Sequence, residues 1–256
     1  MSGIAVDLNA DLGEGTPYDA GLLEVVSSAS VACGFHAGSP QTMVETAQAA
    51  LARRVAVGAH PSYEDRAGFG RRPVDMTSPE LVALVAYQVG AMAAAAGVAG
   101  TTVRFVKPHG ALYNRAAVDP GVAEAVVAAV EVAGASIGNR SLAVLCPAGS
   151  ELARRAEKAR LPWFAEAFAD RLYAPDGKLT SRSQPGSVID DPALVARQAL
   201  DLALRGRVRT SDGTEIEVPA HSICLHGDTP GAFALARAVR RTLEDAGVAI
   251  APFLGA

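Results

Sequence analysis

Five times along the chain an oxygen-bearing residue is followed directly by proline, at Ser39-Pro40, Ser78-Pro79, Asp119-Pro120, Asp191-Pro192 and Thr229-Pro230. Each pair reads as a helix start, with the oxygen at the N-cap and proline at the first helical position, where no backbone donor is wasted. Gly97, Gly134 and Gly247 read as helix stops, because glycine enters the left-handed conformation freely. Between these helices lie short apolar runs: Ile4 to Asn9, Val31 to Cys33, Val55 to Ala59, Val103 to Lys107, Leu142 to Cys146, Trp163 to Phe168 and Ile223 to Leu225. Such runs suit parallel strands covered on both faces, although periodicity alone does not separate them from buried helix. Strand alternating with helix implies a parallel sheet. With seven strands and a weak eighth at Val248 to Phe253, the α/β class is expected as a (β/α) barrel, closed or slightly distorted, ahead of an open doubly wound sheet.

The 256 residues, half of them hydrophobic, match the usual size of such a barrel, so residues 1–256 read as a single catalytic domain. One segment breaks the rhythm. Arg207 to Val218 alternates polar and apolar residues around Asp212-Gly213, which predicts a β-hairpin before the last full strand.

A net charge of −4, with 23 basic and 27 acidic residues, gives no electrostatic footprint for nucleic acid. A small polar ligand is expected instead. The stretch from Val82 to Gly100 is apolar apart from Gln88, yet it is dominated by alanine and glycine and opens on a soluble-helix cap, so a buried helix is expected. The N-terminal residues lack a basic segment and long apolar stretch, and the expected location is cytoplasmic. Cys33, Cys146 and Cys224 form no CxxC pair and read as reduced core thiols.

The residues that carry chemistry gather where strands end. Asn9, Asp11 and Glu14 follow the first strand, His36 the second, His60 and Tyr63 the third. Lys107, His109 and Asn114 follow the fourth, Glu166, Asp170 and Arg171 surround the sixth, and His226 and Asp228 follow the seventh. In a parallel barrel those positions converge on the carboxyl face, where active sites are built. A single histidine there is as readily structural as functional, but four of the five histidines on one rim favour a site. His221, at the opposite end, reads as structural, and Asp7 either projects into the barrel or caps a loop. Lys107 binds a carboxylate or steadies an oxyanion, or is an ordinary rim ion pair. The segment Ala67 to Arg72 offers two arginines on a glycine-rich loop, as a lid or a subunit contact. The chain has neither a Walker motif nor a GxSxG elbow.

Seven blocks in order then resemble the LamB/YcsF family: Asp7 to Glu14, Ala32 to Gly38, Gly58 to Tyr63, Gly68 to Arg72, Lys107 to Asn114, Glu166 to Arg171, and His226 to Pro230. Ala10 stands where members often carry cysteine. The resemblance covers nearly the whole chain. It implies a barrel similar to the glycoside hydrolase/deacetylase barrels and the role of the A component in a three-part, ATP-dependent 5-oxoprolinase that opens 5-oxoproline to glutamate. The implied partners resemble allophanate hydrolase and carboxylase subunits, with ATP handled together with them.

On that footing Asp11 is the first candidate for general base, with His60 or His109 exchanging protons and Lys107 steadying negative charge. Asn9, Glu14, His36, Tyr63, Asn114, Glu166, Arg171, His226 and Asp228 are candidate substrate contacts. Likeness to deacetylase barrels raises a divalent metal, with Asp11, His36, His60 and His109 as candidate ligands. Two other classes stay open: a stand-alone metal-dependent deacetylase or amidohydrolase, and a non-catalytic component that only binds substrate.

Overall fold

The computed structural model describes residues 4–182, 184–228 and 231–254. In chain order its elements are β1 (Ala5–Leu12), α1 (Asp19–Leu22), β2 (Ser28–Ala32), α2 (Pro40–Ala52), β3 (Ala56–His60), α3 (Ser78–Ala99), β4 (Val103–Val106), α4 (Gly110–Val118) and α5 (Pro120–Ser136). There follow β5 (Ala143–Pro147), α6 (Glu151–Ala159), β6 (Trp163–Phe168), α7 (Pro192–Arg205), β7 (Arg207–Arg209), β8 (Glu215–Glu217), β9 (Ser222–Leu225), α8 (Ala232–Asp245) and β10 (Ala249–Ile250). Seven parallel strands pair in the order β1-β2-β3-β4-β5-β6-β9, and β9 closes on β1. The barrel is thus closed. The weak eighth strand shrinks to β10, which lies beside the start of β1 with Ala5 opposite Ala249. The expected hairpin is present as antiparallel β7 and β8.

The helix starts follow the capping chemistry with one shift. Ser39, Asp119 and Asp191 each accept backbone N–H bonds at the openings of α2, α5 and α7, with proline behind them. Helix α3 instead begins at Ser78, capped by Thr77, whose N–H donates to the Glu80 carboxylate at 2.7 Å. Here the proline sits one position deeper than expected. Thr229-Pro230 lies outside the described residues. Two of the expected glycine stops also fall elsewhere. Helix α3 runs through Gly97 to a left-handed Gly100. Gly134 lies inside α5, where a Cβ would meet the Asn139 carbonyl oxygen at 2.8 Å, so it serves close backbone approach. Gly247 follows α8 with φ of 78°, as expected of a stop.

Strand alternation separates two interiors. Leu8, Ala10 and Leu12 of β1 face the alanine-rich helices and join the main apolar core. Asp7, Asn9 and Asp11 face into the barrel and are all buried. This corrects the picture of strands that are apolar on both sides. One end of the barrel is filled by Phe105, Ala143 and Leu145 with Phe164, Phe253 and Leu254 packed on them. Gly58 makes room for this plug, because a Cβ there would stand 2.3 Å from the Phe105 ring. Helix α3 is long and apolar enough to cross a membrane by length and composition, but it packs between α2 and α5 in the outer layer.

Candidate active site

Strand β1 runs to Leu12, so Asp11 belongs to the strand itself and is aimed inward. From the end of β4, on the far side of the barrel, Lys107 reaches back to it: Nζ lies 2.9 Å from Asp11 Oδ1 and 2.8 Å from Glu166 Oε1. Nζ also lies 3.2 Å from Asn9 Oδ1 and 3.2 Å from the Cys224 sulfur. Glu166 is completed by Asn9 Nδ2 at 3.0 Å and by the Tyr113 hydroxyl, which donates at 2.7 Å. Every member is buried, and every charge has an opposite one beside it. Burial alone pushes the Asp11 carboxyl up, but His60 and Lys107 outweigh it and hold it well below its ordinary range. Burial pulls the Lys107 ammonium down, and Asp11 leads the groups that hold it well above its ordinary value.

Below this layer, Asp7 settles the choice left open for it. Its carboxylate faces into the barrel and accepts from Ser27 and Ser28 at 2.6 and 2.7 Å, and from Ser222. Burial raises its pKa to about 6, against the pull of those hydroxyls. His221 accepts from the Ala165 N–H at 2.9 Å at the far end of β9, a structural role.

Beside Asp11 stand three histidines. His60 Nδ1 donates to the Lys107 carbonyl at 2.7 Å, and His109 Nε2 donates to the Phe69 carbonyl at 2.8 Å. A carbonyl only accepts, so each ring has spent its one neutral N–H. The remaining nitrogens, His60 Nε2 and His109 Nδ1, face each other at 2.9 Å as two lone pairs. That arrangement calls for a positive species between or beside them, either a proton or a metal ion. His36 stacks flat on His109 at 3.8 Å between centroids, and its Nε2 lies 3.0 Å from Glu14 Oε1. Glu14 Oε1 in turn lies 3.6 Å from His109 Nδ1.

Glu14, His36, His60 and His109 therefore present one carboxylate oxygen and three imidazole nitrogens, all within 4.8 Å of one another. This donor set fits a divalent ion of the zinc type, and two of its rings are already oriented by carbonyls. Asp11, expected as a carboxylate ligand, lies outside this group, with Oδ1 3.4 Å from His60 Nε2, and forms a second donor group with Cys224 and His226.

The glycine-rich loop is anchored onto this cluster. Ala111 N–H donates to the Gly70 carbonyl at 2.9 Å, and a Cβ on Gly70, at φ of 67°, would stand 2.8 Å from the His109 ring. Above it a cavity of about 380 Å³ opens at the carboxyl ends of the strands. Asp11, Glu14, His60, Lys107, His109, Asn114, Arg171, His226 and Asp228 line it, along with Tyr113, Arg71 and Arg182. His226 is steered by Asp170, which accepts from its Nδ1 and from its backbone N–H, both at 2.9 Å. The ring lies flat on Phe168.

Most expected site residues converge, and the exceptions have physical reasons. Tyr63 follows β3 as expected, but it is buried in the apolar core and is not among the cavity-lining residues. Asn9 and Glu166 sit beneath the cavity floor, bonded to Lys107 and to each other. His36 lies behind His109 and Glu14 and is not among the cavity-lining residues. Sequence reasoning misses Tyr113 and Arg182. Tyr113 lies one helical turn beyond His109, a spacing that could have found it. Arg182 sits in irregular chain with no local signal.

Similarity to known proteins decides the family. The LamB/YcsF family model matches residues 6–256. The chain belongs to the LamB/YcsF family. The 5-oxoprolinase A component of Streptomyces coelicolor is 52% identical to this family member, with 97% of this chain and 99% of that protein covered. The crystal structure of a lactam utilization protein from Thermus thermophilus is 42% identical, with a TM-score of 0.88 over 96% of this chain and 99% of that one. A T48 deacetylase with substrate, 16% identical, superposes with a TM-score of 0.51 over 97% of this chain and 88% of that one, and shares the barrel fold alone.

Proposed function

We propose that this LamB/YcsF protein is the A component of an ATP-hydrolysing 5-oxoprolinase, a hydrolase for the cyclic amide of 5-oxoproline, acting as one catalytic barrel over residues 1–256. The observation that carries this reading is the convergence of Asp11, Lys107, His60 and His109 on the floor of one polar cavity. Relatives of about half-identical sequence are named as the A component of 5-oxoprolinase, and the Thermus protein is a lactam utilization protein.

A five-membered lactam is a stable amide. Phosphorylation of its oxygen by ATP would make the ring carbon electrophilic: water would add there, the C–N bond would break as the nitrogen takes a proton, and a second water would release orthophosphate from the resulting acyl phosphate to give glutamate. The chain has no Walker motif, which supports an ATP step shared with partner subunits resembling allophanate hydrolase and carboxylase components. A cytoplasmic setting, where ATP is available, suits this chemistry.

The floor residues divide the work by their environments. Asp11, held ionised by His60 and Lys107, is a weak base and serves chiefly to fix those two groups. This shifts the role first expected of it. Lys107 presents a permanent ammonium that steadies negative charge developing on the ring oxygen. The facing nitrogens of His60 and His109, the latter kept neutral because burial and then His60 lower it to about 3, present lone pairs that accept a proton at a defined place beside the substrate. Glu14, His36, His60 and His109 would hold a divalent ion, which when bound lowers the pKa of water and polarises a carbonyl.

The test is release of glutamate from 5-oxoproline by the purified chain with ATP, with and without the two partner proteins. Release that needs all three supports the reading. Cleavage of acetylated substrates by the chain alone without ATP would favour a deacetylase instead.

A further inference from the structure

We infer that Arg71, Arg171 and Arg182 form an anion-receiving arch over the cavity, in which Asp228 occupies the place that a ligand's carboxylate or phosphoryl oxygens take. This deepens the 5-oxoproline reading and rests on it for the ligand's identity. All three guanidinium groups line the same cavity, and Asp228 is the carboxylate that reaches Arg71 and Arg182. Arg71 pairs with Asp228 Oδ2 at 2.5 Å while its guanidinium rides over the Phe69 ring. Arg182 Nη1 stands 3.6 Å from the same oxygen, an ion pair too long for a hydrogen bond. Arg171 is buried and makes no ion pair among the described residues. Its Nε and Nη2 donate to the carbonyls of Ser187 and Thr180 at 3.2 and 2.6 Å.

The other acids nearby are spent elsewhere. Asp170 is committed to His226, and Asp11 to Lys107. Glu14 sits against His36 and His109, at 3.0 and 3.6 Å. The rim thus gathers three cations beside two carboxylates, Asp228 against Arg71 and Arg182, and Asp170, which is shared with His226. Burial first, and then Arg182, lowers Arg171 to about 10, against the opposing pull of Asp170. Guanidinium groups recognise planar, two-oxygen anions in a fork geometry. The orientation of the lactam follows. Its carboxylate lies under the arch, and its ring carbonyl points down to Lys107 and the histidine pair. A phosphoryl group on the activated ring offers the same anionic oxygens, so the two sources need separate arms.

The experiment is isothermal titration of the full chain with 5-oxoproline, with 2-pyrrolidinone (the same ring without a carboxylate) and with orthophosphate. The wild type is expected to bind 5-oxoproline at least about tenfold more tightly than 2-pyrrolidinone. Arg182→Gln, at a partly exposed site where folding is tolerant, is expected to erase that difference and leave 2-pyrrolidinone binding unchanged. An unchanged melting temperature in the variant would exclude a folding artefact. Displacement of orthophosphate by 5-oxoproline would assign the arch to both anions, and absence of phosphate binding would assign it to the carboxylate. Equal binding of the two lactams by the wild type, equal weakening of both by Arg182→Gln, or binding of none of the three probes would overturn the arch. Orthophosphate binding that is lost in Arg182→Gln, with no binding of 5-oxoproline, would keep the arch and overturn the 5-oxoproline reading.

Discussion

Lys107 at the end of β4 and Asp11 on β1 meet across the inside of the barrel, Nζ to Oδ1 at 2.9 Å, with Glu166 of β6 at 2.8 Å from the same nitrogen. One ammonium thus holds two buried carboxylates together. Replacing it by an apolar isostere leaves both without a counter-charge in a water-poor interior. Lys107→Met is expected to cost roughly 3–5 kcal/mol, as measured by denaturant unfolding. Adding Glu166→Gln to Lys107→Met should recover part of that loss, since one of the stranded charges is removed. A double variant no more stable than Lys107→Met would refute the ionic account.

Asp7 makes stability depend on pH in a definite direction. Its folded pKa is about 6 and its ordinary value 3.8, so the folded state holds its proton more tightly than the unfolded chain. The contribution is fully present below about pH 4 and is lost as pH rises through about 6, amounting to on the order of 3 kcal/mol. Unfolding curves between pH 4 and 7 should show the wild type losing more stability with rising pH than Asp7→Asn. Parallel curves would contradict the assignment.

Gly70 ties the glycine-rich loop to the histidine cluster. It combines φ of 67° with a Cβ direction that would strike both the His109 ring and His36 Cβ, the latter at 2.9 Å. Gly70→Ala is expected to destabilise by about 1–3 kcal/mol and to displace His109. NMR of the imidazole nitrogens should report the displacement, and an unshifted His109 signal would count against it.

The facing lone pairs of His60 and His109 predict cation capture. Chain purified without chelator should carry an equimolar divalent metal by elemental analysis. Cobalt(II) added after chelation should give visible ligand-field bands that are lost in His109→Ala. Metal-free protein that binds no cobalt would leave the proton as the species between the rings.

The barrel is legible in the sequence because each helix start is a local event, written in two adjacent residues. The rim is legible for a similar reason, since a parallel barrel sends every strand end to one face. Long-range pairing is what escapes. Asn9 and Glu166, expected as substrate contacts, are 157 positions apart and bond to each other beneath the floor. The polar inner face of β1 is hidden by its apolar outer face, which dominates the run from Ile4 to Asn9. Tyr63 is expected on the rim from its place after β3, yet the path of the loop, and not its position in sequence, decides where a side chain beyond a strand ends up. Arg182 lies in irregular chain, where no periodicity could mark it.

The most direct measurement is ATP-dependent glutamate release by the complex proposed above, assembled with Asp11→Asn, with substrate binding to the isolated variant measured in parallel. Asp11 fixes Lys107 and His60 in one constellation, so the turnover rate is predicted to fall by at least about 100-fold while 5-oxoproline still binds. Turnover near that of the wild type would contradict a catalytic floor built on Asp11 and leave the cavity as a binding surface alone.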